Sequence, residues 1–416
     1  MSLATRWATL MDSLGRYAVV GLAFALPIST ALANIFFALV IVFWLAGGQY
    51  RHKLSYFVKS PISFAALLLF LWLVISLFWV DEFGSNQWHF LLKYSELIAI
   101  TIILWYLLDP TYRLKVLAGF AVAILITLVL SYAAYFKLLP PMDWLKAAPG
   151  NAVVFKLHIT HSLLMALAVL LFSLYAVKAW SKRQRIIAIC WAIAFFLALV
   201  NVLFMVQGRT GYVVLAAFVM LVFGLRAGWR GLLVASLIIF FAGIASYQVS
   251  KTMRERVDLG LSELSQWRSH IPSDTSVGMR LEFATNSLEL ISRRPIVGHG
   301  LGSFPAEYSN LVEGTGKVQT QNPHNDFLLL AVQGGVTAVL LYLYLLFRLC
   351  MSARLMPSLE ERILTPAIAI WIGVGGIFNA LLIDHTERLL FTLLVGLLAA
   401  ATITPLIPRG QNLNVK

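Results

Sequence analysis

Charge is scarce in this chain. Asp, Glu, Lys and Arg together make up 12 % of it, while hydrophobic residues make up 60 %. Soluble domains are about a quarter charged. A water-soluble fold with so few charges could not cover its surface, so the missing polar shell must be lipid. Cysteine is scarcer still: Cys190 and Cys350 are the only two. Both fall near predicted cytoplasmic helix ends, so no disulfide framework is implied and neither thiol has a catalytic partner. Also missing are a Walker-type glycine loop, a Gly-x-Ser-x-Gly elbow, a His-Glu-x-x-His pair and any Asp-x-Asp. The last is the commonest sequence cue for a metal-held sugar nucleotide. No internal repeat recurs at a fixed period, which counts against a transporter built from two related halves. No cleavable signal peptide stands out, because the apolar stretch beginning near Tyr17 runs on too far for a secretory segment.

What is present is a series of long apolar runs. A helix needs about 20 apolar residues to cross a hydrocarbon core of about 30 Å. Twelve candidate spans fit, roughly 17–30, 32–47, 62–80, 91–108, 115–138, 157–177, 186–206, 211–225, 231–248, 326–347, 364–383 and 389–407. The first two form one run divided only by Pro27 and Asn34, readable as a tight hairpin or as one kinked helix. The net charge of +13 would suit nucleic acid. Here the basic residues sit mainly in short links between apolar runs, where membrane proteins place topology signals, so no nucleic-acid partner is expected. Of the 32 Lys and Arg, eighteen fall on the side that holds both termini, six in the short links opposite and eight in one long loop. That asymmetry predicts cytoplasmic termini and an extracytoplasmic long loop.

The expected fold class is therefore all-α: a polytopic transmembrane helical bundle of about 12 spans with one partly helical extracytoplasmic loop domain. Three regions follow. Residues 1–248 hold about nine spans, 249–325 form the large loop, and 326–416 hold three spans and a short tail. Within the loop, Val277, Leu281, Ala284, Leu288 and Ile291 recur at helical spacing and predict an amphipathic helix over 277–291.

Ionisable residues at membrane depth are costly and default to functional hypotheses. Sorted by side, several fall on the outer face. Arg209 sits in a very short outer link, where a mere topology signal is disfavoured. His324 lies in Gln321-Asn322-Pro323-His324-Asn325-Asp326, where the loop enters the next span. It reads either as a helix cap or as a neutral base. Arg280, on the loop helix, reads as a solvated residue or as part of the same cluster. Asp384, His385, Glu387 and Arg388 form a dense outer link, either a salt-bridged turn or the lining of the same cavity. His158 and His161 share a helical face, but no nearby ligand completes a metal set, so a polar helix contact is the better reading. Two or three Arg plus a His, without a metal signature, suit a substrate whose leaving group carries phosphate, because the guanidinium fork pairs with phosphate oxygens.

Several of these segments resemble the O-antigen ligase and polymerase superfamily. Pro323-His324-Asn325-Asp326-Phe327-Leu328 with Gly334-Gly335 carries the resemblance, as do Gly298-His299-Gly300-Leu301-Gly302-Ser303-Phe304 and Gly208-Arg209-Thr210-Gly211. The resemblance implies an inverting glycosyltransferase, independent of metal and needing no cofactor. Its donor would be an undecaprenyl-diphosphate-linked glycan and its acceptor the lipid A core oligosaccharide, at the periplasmic face of a Gram-negative inner membrane. Carried over by motif, His324 would be the general base, and Arg209 and Arg280 would hold the diphosphate. Arg293 or Arg294 could replace Arg280, the loosest match, and Arg388 and Asn325 are secondary candidates. Within the superfamily the alternatives are the O-antigen polymerase and a protein O-oligosaccharyltransferase. A secondary transporter or flippase is a reading from another class. So is a metal-dependent glycosyltransferase built on Asp81-Glu82.

Overall fold

The first apolar run divides at Pro27 and Ser29. α1 (Leu3–Ile28) stops there, and α2 (Thr30–Ala46) restarts with the Ser29 hydroxyl accepting the Leu32 N–H at 3.3 Å. That is an N-cap, satisfying one of the donors a helix start leaves open. Trp7 Nε1 donates to Ala46 O at 3.0 Å, so the far ends of the two helices meet. The pair is a tight hairpin, and α1 begins well before the expected Tyr17.

The computed structural model describes residues 3–80, 83–146, 148, 150–268 and 275–403, with no β-strand among them. α3 (Tyr50–Lys59) turns away from α2 by 117°. Next come α4 (Pro61–Ile75), then α5 (Ser85–Tyr94) and α6 (Glu96–Tyr106), which together make one span. α7 (Pro110–Tyr135), α8 (His158–Ser181), α9 (Arg185–Val200) and α10 (Arg209–Val249) continue the bundle. The long loop holds α11 (Lys251–Arg268), α12 (Ser276–Arg293) and α13 (Phe304–Val312), and the chain returns through α14 (Asp326–Ser352), α15 (Leu359–Phe378) and α16 (His385–Ile403). α12 is the expected amphipathic helix.

Ten of these helices are long and apolar enough to cross a membrane, or eleven if α2 and α3 form one bent span. The expected twelve treated 211–225 and 231–248 as separate, whereas α10 runs through both. It is not straight, however. Ala227 (φ −136°, ψ 17°) and Gly228 (φ 55°, ψ −136°) break it. Ser236 Oγ lies 3.8 Å from Met220 Sδ, and Leu232 packs on Gly224. Residues sixteen apart in a straight helix stand about 24 Å apart. α10 therefore folds back on itself, and its halves correspond to the two expected spans.

Contacts between helix termini sort the bundle into two ends. At one, Arg113 of α7 meets Glu361 of α15 at 2.9 Å, and Lys178 of α8 meets Glu360 at 3.2 Å. At the other, Arg388 of α16 meets Glu96 of α6 at 2.7 Å, and Asn379 after α15 donates to Thr210 of α10 at 3.0 Å. The long loop packs over this second end.

A break in α14 explains the glycine-rich segment. Gly335 has φ 69° and ψ −173°, outside helical geometry, and a Cβ there would collide with the Ile296 carbonyl. Such a backbone is open to glycine alone at low cost. The break strips the helix of i→i−4 partners, and lipid offers none in exchange. Residues 295–300 supply them. His299 N and Gly300 N donate to the carbonyls of Val332 and Gln333 at 2.8 Å each. Val336 N and Thr337 N donate to Pro295 O and Ile296 O at 2.8 and 3.4 Å.

Candidate functional site

α12 positions most of the site. The Thr275 hydroxyl caps it by accepting from Gly278 N at 3.2 Å. Val277, Arg280 and Phe283 then fall three apart, on one face. Val277 N–H donates to Glu263 Oε2 of α11 at 3.3 Å, and the same carboxylate oxygen lies 3.6 Å from Arg209 Nη2 at the start of α10. Further along that face, the Phe283 ring stacks on His324, with centroids 6.1 Å apart and planes inclined by 28°. One helix face thus joins Arg209, Arg280 and His324, which lie far apart in sequence. Arg280 stands between the other two. Its guanidinium is held below its ordinary pKa by burial and by the charge of Arg209, with Glu263 opposing.

His324 is held by its backbone rather than by its ring. Its φ of 52° is left-handed, an uncommon conformation outside glycine. The Asn322 side chain accepts the His324 N–H at 2.9 Å and stabilises that turn. Neither ring nitrogen bonds another described residue, unlike those of three other histidines at this end of the bundle. His161 contacts Asn201 Oδ1 at 3.2 Å and Val154 O at 3.4 Å. His299 contacts Leu290 O at 2.9 Å, and His385 contacts Asn34 Oδ1 at 2.6 Å. Burial first, and then the charge of Arg280, push the His324 pKa below its ordinary value. The imidazole is therefore neutral at ordinary pH, with its nitrogens available to a substrate.

The remaining sequence candidates lie elsewhere. Arg293 is exposed at the far end of α12, where it pairs with Glu289 at 2.8 Å. It stands about 20 Å along the helix from Arg280, at 1.5 Å per residue. Arg294 is exposed beside it. Neither can replace Arg280. Asn325 is the cap of α14: its side chain accepts from Leu328 N at 3.0 Å and donates to Ile377 O at 2.9 Å. Arg388 is committed to Glu96 and to Ile383 O at 2.9 Å. With Asp384, His385 and Glu387 it builds a separate cluster, knitted to Asn34 and Glu96 rather than to the His324 site. Nearby Lys156 is pushed down to about 8 by burial, against the pull of Glu387. His161 makes the polar helix contact expected of it. Asp81 and Glu82 lie outside the described residues. Glu263 was not singled out from sequence. A lone glutamate on a polar helix carries no signal of its own, and only the fold brings it to Arg209.

Residues 194–343 match the family model described as O-Antigen ligase, a stretch that contains Arg209, Arg280 and His324. No curated protein matches the chain.

Proposed function

We propose that this multi-pass membrane protein, which carries the O-antigen ligase superfamily segment over residues 194–343, is an inverting, metal-independent glycosyltransferase. It moves a glycan from undecaprenyl diphosphate onto a sugar of the lipid A core. The family match supports ligase- or polymerase-type transfer from a lipid-linked glycan. The observation that carries the finer reading is the meeting of two guanidinium groups with a histidine whose ring nitrogens are unspent.

In this reading the neutral His324 takes the proton from an acceptor hydroxyl. The oxygen attacks the anomeric carbon from the face opposite the diphosphate, and the carbon–oxygen bond to the diphosphate breaks. Undecaprenyl diphosphate leaves with its charge on Arg209 and Arg280. A positioned base of this kind contributes about 10²–10⁴-fold, and preorganised cations at a leaving group are often the larger contribution. The site would face the periplasm of a Gram-negative cell, with both chain termini in the cytoplasm.

The test is a reconstituted reaction offering purified lipid-linked donor with three rival acceptors: lipid A core, a peptide and a second lipid-linked unit. Glycan on the lipid A core is the expected product. Product on the second lipid-linked unit alone identifies a polymerase, and product on peptide alone a protein ligase. No product, with glycolipid movement in vesicles, replaces the enzyme reading with a transporter.

A further inference from the structure

α3 lies at the end of the bundle away from His324 and takes no part in that site. It connects α2, which ends at Ala46, to α4, which starts at Pro61. α4 is apolar and long enough to cross a bilayer, and α2 is an apolar 17-residue helix packed against α1 as a hairpin. Chain continuity therefore places α3 at the end of that hairpin, at the bilayer surface. The 117° turn from α2 lays it along that surface rather than through it.

At 100° per residue nine of its ten side chains divide into three sectors, and the tenth, His52, packs edge-on against Tyr56 and Trp105. The first, Lys53, Tyr56 and Phe57, faces the bundle. Lys53 is buried: its Nζ donates to Trp44 O at 2.8 Å, lies 3.7 Å from Asp12 Oδ1, and sits over the rings of Trp44 and Trp105. The Tyr56 ring packs edge-on against Trp105 at 5.8 Å. This sector fixes the roll of the helix. The second sector is Tyr50, Leu54 and Val58, one turn apart and exposed by 46, 48 and 71 %. The third is Arg51, Ser55 and Lys59, again one turn apart, with both cations exposed. No Asp or Glu occurs in α3, and neither Arg51 nor Lys59 reaches a carboxylate among the described residues. A surface cavity of about 600 Å³ opens beside this flank at Gln49, Tyr50, Arg51 and His52.

We propose that α3 is an in-plane anchor whose open flank binds acidic phospholipid headgroups, with Arg51 and Lys59 on the phosphates and Tyr50, Leu54 and Val58 in the acyl boundary. An apolar strip beside a cationic one, on a helix pinned at bilayer level, has the pattern of a segment lying in the interface. Lysine and arginine near a surface gain appreciably from acidic lipid, so the two together give a preference on the order of tenfold.

The experiment uses the full chain in phosphatidylcholine vesicles, with a fluorophore at Ser55→Cys in a Cys190→Ser, Cys350→Ser background. Spin-labelled phosphatidylglycerol or spin-labelled phosphatidylcholine serves as quencher. The expected result is quenching that favours phosphatidylglycerol by on the order of tenfold. That preference should collapse toward unity in Arg51→Gln/Lys59→Gln and persist in Lys182→Gln/Arg183→Gln, a basic pair in the α8–α9 link. If the double variant loses its monodisperse elution profile, Arg51→Gln alone is read, since that side chain makes no hydrogen bond or ion pair with another described residue. Equal quenching by the two lipids, or a preference that survives loss of both cations, overturns the proposal. So does inorganic phosphate at constant ionic strength, if it abolishes the preference, because the ligand would then be a free anion.

Discussion

Two polar clusters occupy the same end of this bundle and use nearly the same residue types. Around Arg388 the charges are paired with one another, although Glu96 Oε2, Arg388 Nε and His385 Nδ1 are buried without a described partner. The guanidinium binds Glu96 at 2.7 Å, His385 is occupied by Asn34, and the two partners of the ion pair are only 11 and 9 % exposed. Around His324 they are paired only in part. Arg209 pairs with Glu263 yet keeps 33 % of its side chain exposed, Arg280 only feels the charge of that carboxylate, and the imidazole nitrogens bond no described residue. Residue type therefore does not separate the two clusters; a closed, buried ion pair at Arg388 against a partly exposed arginine and an open imidazole at His324 does. Arg293 and Arg294, charged and nearby in sequence, stand exposed at the far end of α12 instead.

Four perturbations would break or sharpen that contrast. His324→Ala should have the largest effect: transfer falls by about 10²–10⁴-fold while the thermal unfolding profile is unchanged. Retained turnover in the reconstituted reaction would remove His324 from the chemistry. Arg388→Gln should do the reverse. It strands the carboxylate of Glu96 without its ion partner, which costs about 3 kcal/mol of stability, and activity per folded molecule is kept. The double change with Glu96→Gln should recover most of the thermal loss, and its failure to do so would show that Arg388 matters through something other than the pair.

A pH profile reads the third difference. Because the folded pKa of His324 is depressed, the base stays neutral to lower pH than a free imidazole would. The acid limb of kcat/KM should then lie below about 6.5. Arg280→Gln removes the second of its two causes and should move that limb upward, with burial still holding it below the free value. An unmoved limb would place Arg280 away from the base. The smallest effect is expected from Glu263→Gln. Its carboxylate competes with phosphate for Arg209, so its neutralisation should lower donor KM about threefold, in the range of a partly exposed ion pair. A rise in KM would show that Glu263 serves to aim Arg209 instead.

Apolar runs made the bundle legible, because a bilayer-length hydrophobic stretch has few other uses. Where the link between two spans is very short, the sequence marks the spans but not how they are joined. Arg226 and Arg230 flank a link of this kind: the chain turns back at Ala227 and Gly228, so the two expected spans are the two arms of α10. Sequence motif and charge asymmetry grouped Arg209, Arg280 and His324, and the fold brings these three residues together. Glu263 was not grouped with them, since its role depends on how α11 lies across the start of α10. Asn325 and Arg388 looked functional because capping and ion pairing use the same groups as catalysis. Only their partners, Leu328, Ile377 and Glu96, decide between the two.

The break in α14 has a consequence for how the chain is assembled. When α14 first enters lipid, the carbonyls of Val332 and Gln333 and the amides of Val336 and Thr337 have no helical partners. They acquire them from residues 295–300, which are translated only about thirty-five residues earlier and already lie across the membrane surface. Docking that segment and settling that helix are therefore one event. The loop that carries Arg280 and His324 is locked into register by the act of completing a span, and a chain in which that loop is misfolded also keeps a span that lipid cannot satisfy.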